Sequence, residues 1–157
     1  VEINISSPNT SDLKKFVNPN SIRSILNKSR TVTKLPIFIK LPRLLEIEYY
    51  DELIEASQEF DKVGVVLSNT LPITDSRLSV GNGGRSGKSL FDSTLSILRY
   101  VRKSFPEITI LCSGGISSPE QVKILLESGA NALQIYTALV YEGPGLIKKI
   151  NDSLSSN

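Results

Sequence analysis

Val1-Glu2-Ile3-Asn4-Ile5-Ser6-Ser7-Pro8-Asn9-Thr10 opens the chain and changes character halfway along. Val1, Ile3 and Ile5 alternate with Glu2 and Asn4, the period-two pattern of a strand. They run into small hydroxyls, amides and a proline that stop one. The expected element is a strand that delivers the Asn4 amide and a polar, rigid loop at its carboxyl end. In parallel α/β architectures ligands collect at such ends. The chain holds no methionine, so Val1 is not expected to be a translational start. A strand at the first residue is expected to follow earlier parts of the same fold.

The rhythm continues outward from that stretch. Asn18, Pro19 and Asn20 precede a short helix with Ile22, Ile25 and Leu26 at helical spacing, and Ile37-Phe38-Ile39-Lys40-Leu41 is an apolar strand with one lysine near its tip. A helix is expected over Glu46 to Phe60. The strand Val63 to Leu67 follows, ending in Ser68-Asn69-Thr70. Leu71 to Lys88 has no periodicity, is rich in Pro, Asp, Ser and Gly, and is expected to be a long functional loop. Leu90 to Phe105 is an amphipathic helix, and Ile108 to Cys112 a strand closing on Ser113-Gly114-Gly115. Ser118-Pro119 starts the next helix, which Ser128-Gly129 ends. Ala132 to Ile135 is the last strand, closing on Tyr136-Thr137, and a final helix runs from about Pro144 to Leu154.

Five strand-then-helix units of this kind predict right-handed crossovers and a parallel sheet. A full (β/α)8 barrel needs roughly 250 residues, so 157 residues would hold part of one. An open doubly wound sheet fits the same rhythm, and periodicity leaves both open. No second-domain linker is present, so residues 1–157 read as a single domain.

Composition narrows the function classes. The chain is 39% hydrophobic and 22% charged, with net charge +2 from 18 basic and 16 acidic residues that are well mixed. No basic run suits a nucleic-acid partner. No apolar stretch approaches the roughly 18 residues of a membrane span. One cysteine, Cys112, and no histidine argue against a zinc site, a histidine-based triad or an internal disulfide. No metal site is expected, Cys112 reads as a core residue, and proton transfer falls to Ser, Lys, Tyr or a carboxylate.

Several strand ends carry the groups of interest. Backbone N–H groups of Ser113-Gly114-Gly115 and Tyr136-Thr137, in successive units, could hold one phosphate, or the glycines could simply make tight turns. Lys40 either snorkels to water or presents its ammonium to an anion. Asn4, Ser7, Asn9, Asn69 and Thr70 suit a ligand with several ring N–H, carbonyl and carboxylate groups. At any single position, capping explains them equally well.

The segments Asn4 to Thr10, Ile39-Lys40, Ser68-Asn69-Thr70, Gly83 to Lys88, Ser113-Gly114-Gly115 and Gln134 to Leu139 resemble, in order and spacing, the dihydroorotate dehydrogenases. The resemblance covers essentially the whole chain. It implies the C-terminal five βα units of a TIM (β/α)8 barrel, with the N-terminal strands missing from this chain. It implies an FMN flavoprotein that oxidises dihydroorotate to orotate in pyrimidine biosynthesis. Ser7 stands where the membrane-associated, quinone-reducing class has its serine base, and Tyr136-Thr137 is similar to that class as well.

The same resemblance implies roles for single residues. Ser7 would take the C5 proton of dihydroorotate, and Lys40 would lie beside the flavin's pyrimidine edge. Asn4 would touch flavin and substrate. Asn9, Asn69 and Thr70 would hold substrate, Ser68 would meet the flavin, and Gly87, Gly115, Tyr136 and Thr137 would grip the FMN phosphate. The expected location is the mitochondrial inner membrane or, peripherally, a bacterial cytoplasmic membrane, with contact through an absent N-terminal segment. The isolated fragment is expected to be inactive. Departures from the family pattern are Ser11-Asp12 after the opening loop, Leu41-Pro42-Arg43-Leu44 after the strand lysine, which is similar to the soluble class, and Arg85 in the glycine loop. Two alternatives stay open: a soluble-class FMN barrel using fumarate or another acceptor, and a non-catalytic phosphate-binding half-barrel.

Overall fold

The computed structural model describes residues 1–7, 15–44 and 46–155. Its elements begin with β1 (Glu2–Asn4), α1 (Pro19–Val32), β2 (Ile37–Lys40), α2 (Tyr49–Gln58), β3 (Val63–Leu67), β4 (Leu71–Thr74) and β5 (Asn82–Arg85). After a 3-10 turn at Lys88–Leu90 come α3 (Phe91–Ser104), β6 (Ile110–Ser113), α4 (Pro119–Glu127), β7 (Ala132–Gln134), α5 (Thr137–Glu142) and α6 (Gly145–Ser155).

Local chemistry sets several of these boundaries. Asn18 caps α1 by accepting the Ser21 N–H at 2.9 Å, and Pro19 occupies the first turn, where a missing N–H breaks no bond. Ser118 and Pro119 repeat the device at α4, with Ser118 Oγ accepting from the Gln121 N–H at 3.3 Å. Helix α2 has no side-chain cap and is anchored by packing instead. The fully buried Tyr50 donates its hydroxyl to the Pro42 carbonyl at 2.7 Å and accepts the Leu44 N–H at 3.2 Å. Those bonds pin the turn after β2, and burial pushes the Tyr50 phenol above its ordinary pKa.

Strands β1, β2, β3, β6 and β7 form one parallel sheet in that order. The order follows the chain without reversing, as in a barrel wall, whereas a doubly wound sheet reverses at its switch point. Curvature agrees. In a flat sheet the outermost of five strands would stand roughly 19 Å apart, at about 4.8 Å per step. Yet Gln134 Nε2 of β7 donates to Glu2 Oε2 of β1 at 2.5 Å. The sheet therefore curls until its edge strands face each other, and the ambiguity between barrel wall and open sheet is resolved.

The two faces differ in kind. On the outer face Ile5, Ile37, Ile39, Val65, Leu67, Ile110 and Cys112 pack in one core with Ile22, Leu26, Leu53, Ile54, Leu98 and Val101 of the helices. Register places Glu2, Asn4, Phe38, Lys40, Gly64, Val66, Leu111, Ser113 and Gln134 on the inner face. That face turns polar toward the carboxyl ends of the strands. Gly64 leaves room for the Phe38 ring, since a Cβ there would stand 2.7 Å from it. Cys112 is fully buried, and burial pushes its thiol up to about 12, as suits a packing residue rather than a redox one. No helix among the described residues is long and apolar enough to cross a membrane.

Two expectations are corrected. Leu71 to Lys88 is not a structureless loop but carries an antiparallel hairpin, β4 with β5, paired from Leu71↔Arg85 to Thr74↔Asn82. One of its strands is Asn82-Gly83-Gly84-Arg85, which has no apolar alternation to display. Second, Thr137 does not belong to a strand end but starts the short helix α5.

Candidate functional site

Parallel pairing brings the carboxyl ends of the five strands to one rim. A cavity of about 670 Å³ opens there, a size typical of small-ligand sites. Of the expected residues, Lys40, Ser68, Asn69, Thr70, Gly87, Gly115, Tyr136 and Thr137 all line it. Asn4 and Ser7 are not among the lining residues, and Asn9 lies outside the described residues.

Asn4 is nonetheless tied to the wall. Asn69 Nδ2 donates to Asn4 Oδ1 at 3.1 Å and to Ser6 Oγ at 3.2 Å, while Ser6 Oγ donates to the Lys40 carbonyl at 3.0 Å. Asn4 Oδ1 also accepts the Ser6 N–H at 3.1 Å, and Asn69 Oδ1 the Thr70 N–H at 2.9 Å. These bonds lace the ends of β1, β2 and β3 together and leave the half-buried Ser7 immediately beyond the lacing. Capping and turn formation therefore account for much of what these amides do. Ser68 differs: it is 2% exposed, lines the cavity, and its Oγ lies near the Tyr50 phenol but makes no well-formed hydrogen bond among the described residues. A buried hydroxyl with an imperfect partner is costly, and a ligand in the cavity can satisfy it.

Lys40 does not reach for open water. Its side chain is 19% exposed and its Nζ lies 3.3 Å from Glu2 Oε1 and 3.3 Å from Gln134 Oε1. An ammonium thus sits in the wall of the cavity, where it can meet a ligand that carries or develops negative charge.

The glycine-rich loops converge on another part of the same cavity. Gly87, Gly114 and Gly115 have φ of +88°, +115° and +82°, a conformation that side chains resist. At Gly115 a Cβ would stand 2.3 Å from the Phe91 nitrogen, so this loop packs directly on the backbone that starts α3. Thr137 Oγ1 donates to Ser86 Oγ at 3.1 Å, joining the loop after β5 to the start of α5. Successive N–H groups in such turns form nests for anions. The cavity therefore offers an anion cradle in one part and a set of ammonium, amide and hydroxyl groups in another.

Sequence reasoning missed Arg43. It is 5% exposed and runs behind the cavity's loops, where Nε donates to the Asn69 carbonyl at 3.2 Å and Nη1 to Ser93 Oγ at 2.6 Å. Its Nη2 donates to Thr94 Oγ1 at 3.0 Å and, more weakly, to the Ser113 carbonyl at 3.4 Å. Burial lowers its pKa from the ordinary arginine value, yet arginine remains protonated at neutral pH. A Cβ on Gly114 would stand 2.6 Å from Arg43 Nη2, so the guanidinium requires glycine above it. Its partners come from the segment after β3, from α3 and from β6, far along the chain, and only the unusual Pro42-Arg43 after a strand hinted at it.

The model of the family described as "Dihydroorotate dehydrogenase" matches residues 1–157. A protein of Nautilia profundicola named "Dihydroorotate dehydrogenase (quinone)" is 35% identical over 97% of this chain and 43% of its own length. One of the same name from Nitratiruptor is 34% identical over 97% and 44%. The crystal structure of an Eimeria tenella DHODH in complex with ferulenol superposes with a TM-score of 0.82 at 25% identity, over 98% of this chain and 48% of that one. The chain spans about half the length of the relatives it matches.

Proposed function

The chain belongs to the dihydroorotate dehydrogenase family, and from that premise we propose that its cavity holds FMN and that its protein oxidises dihydroorotate to orotate, passing electrons to a quinone. The observation that carries this is a single cavity joining the Gly87–Gly115–Thr137 cradle to the Lys40–Ser68–Asn69–Thr70 wall. An elongated ligand with a phosphate at one end and a polar ring at the other fits both. The buried Ser68 hydroxyl on the cavity wall supports the fit, as do the positive-φ turns at Gly87 and Gly115.

In this reading Gly87, Gly115, Tyr136 and Thr137 hold the FMN phosphate, and Ser68 and Asn4 contact the ring. FMN, when bound, supplies the acceptor for the hydride leaving C6 of dihydroorotate. Ser7 takes the proton from C5 and passes its own hydroxyl proton on. An unaided serine is a weak base, so the step depends on a closed site and on hydrogen-bond partners. Lys40 stabilises the negative charge that accumulates at the ring on reduction. Asn69, Thr70 and Asn9 bind the polar edges of the substrate.

Residues 1–157 then act as one domain, part of a (β/α)8 barrel whose other strands correspond to the half of the relatives not spanned here. A quinone acceptor dissolves in lipid. The enzyme is therefore placed at the mitochondrial inner membrane or a bacterial cytoplasmic membrane, with contact through a segment outside these residues. The relatives' shared name supports quinone over fumarate. Turnover of the full-length enzyme with ubiquinone should exceed that with fumarate by at least tenfold. Faster turnover with fumarate would place it in the soluble class.

A further inference from the structure

Glu2 has no role in the site described so far, yet it touches Lys40, the lysine in the strand wall of the cavity. Lys40 Nζ lies 3.3 Å from Glu2 Oε1 and 3.3 Å from Gln134 Oε1, and Gln134 Nε2 donates to the other Glu2 oxygen at 2.5 Å. The three heads, from β2, β1 and β7, close a ring in which each touches the other two. We propose that Glu2 is a positioning residue that, with Gln134, fixes the Lys40 ammonium and offsets part of its charge. Glu2 thereby sets how strongly the cavity stabilises negative charge on its ligand.

A free lysine head moves on a flexible four-carbon stem. Here it is held by side chains from both edge strands of the curled sheet, and the Gln134 amide fits only one way, its oxygen on the ammonium and its NH2 on the carboxylate. The side chains of Lys40 and Glu2 are 19% and 32% exposed, so solvent screens the pair less than it screens a surface ion pair. Arg43 provides the contrast. It lies behind the cavity's loops on hydroxyl and carbonyl oxygens, with no carboxylate in ion-pair range among the described residues. Arg43 keeps its full charge, whereas that of Lys40 is tempered by a neighbour.

The inference rests on the FMN reading, and its test separates the two. In the FMN-loaded protein, Glu2→Gln keeps the shape of the side chain and removes its charge. It should shift the flavin equilibrium at least tenfold toward the reduced form, ~30 mV in midpoint potential for a two-electron couple. In the parent protein a carbodiimide, which takes up water as adjacent carboxyl and amine groups condense to an amide, should join Glu2 to Lys40. Peptide mass spectrometry detects that bond whether or not flavin is present. Absence of the cross-link, or an unchanged potential in Glu2→Gln, overturns the proposal. A protein that takes up no flavin overturns the cofactor reading instead, and the cross-link then still decides whether the clamp exists.

Discussion

Replacing Ser7 by alanine in the full-length enzyme should slow reduction of the bound flavin by dihydroorotate by roughly 10²- to 10⁴-fold, the usual contribution of a positioned general base. FMN should stay bound. The structure gives the reason for that split: Ser7 is half-buried beyond the end of β1 and does not line the cavity, while Ser6 makes the bonds that hold the loop to Lys40 and Asn69. On the proposed reading, loss of the Ser7 hydroxyl removes the proton acceptor and leaves these Ser6 bonds in place. Stopped-flow absorbance under anaerobic conditions reads the rate, and the visible spectrum of the purified variant reads flavin content. Near-normal reduction would remove Ser7 as the base. A colourless variant would make it a structural residue.

At the other part of the cavity, Gly115→Ala should be the most damaging small substitution. The new Cβ would stand 2.3 Å from the Phe91 nitrogen, 2.7 Å from its Cα and 2.8 Å from the Leu90 carbonyl carbon, at φ +82°. All three are backbone atoms, so the loop after β6 and the start of α3 must separate. Clash and backbone strain together should cost about 2–4 kcal/mol of stability. The displaced N–H groups should weaken FMN binding by about a hundredfold, on the scale of two or three lost kcal/mol. Gly87→Ala is the control. Its φ of +88° with ψ of −168° is a conformation close to glycine-only, but the Cβ meets only Thr137 Cγ2 at 3.4 Å among the described residues, so the expected stability loss is the strain alone, about 1–3 kcal/mol. Thermal unfolding and FMN fluorescence titration on both variants measure the difference. Equal effects at the two positions would mean that strain alone, and not the packing of Gly115 on α3, governs the cradle.

The parts of this molecule legible in its sequence are those written in local pattern. Alternation in Val1 to Ile5, apolar runs at Ile37 and Val63, and the Asn18-Pro19 and Ser118-Pro119 caps located strands and helices to within a few residues. Lys40 and the Gly114-Gly115 turn were legible as candidates because each ends a strand, and both line the cavity. What the pattern could not carry is pairing across distance. Barrel wall and open sheet share one βα rhythm, and only strand order and the Glu2–Gln134 contact, 132 residues apart in sequence, separate them. Strand β5 escaped notice because glycine writes no alternation. Arg43 escaped because its partners stand 26 to 70 residues downstream. Glu2 read as an ordinary polar position in an alternating strand, since nothing in Val1-Glu2-Ile3 tells that its carboxylate meets Lys40.

Anaerobic addition of dihydroorotate to the purified full-length protein, followed in the visible region, tests the central claim most directly. The account predicts a yellow protein whose flavin absorbance bleaches as orotate forms in equal amount. A colourless protein, or a flavin that stays oxidised with dihydroorotate present, would contradict it.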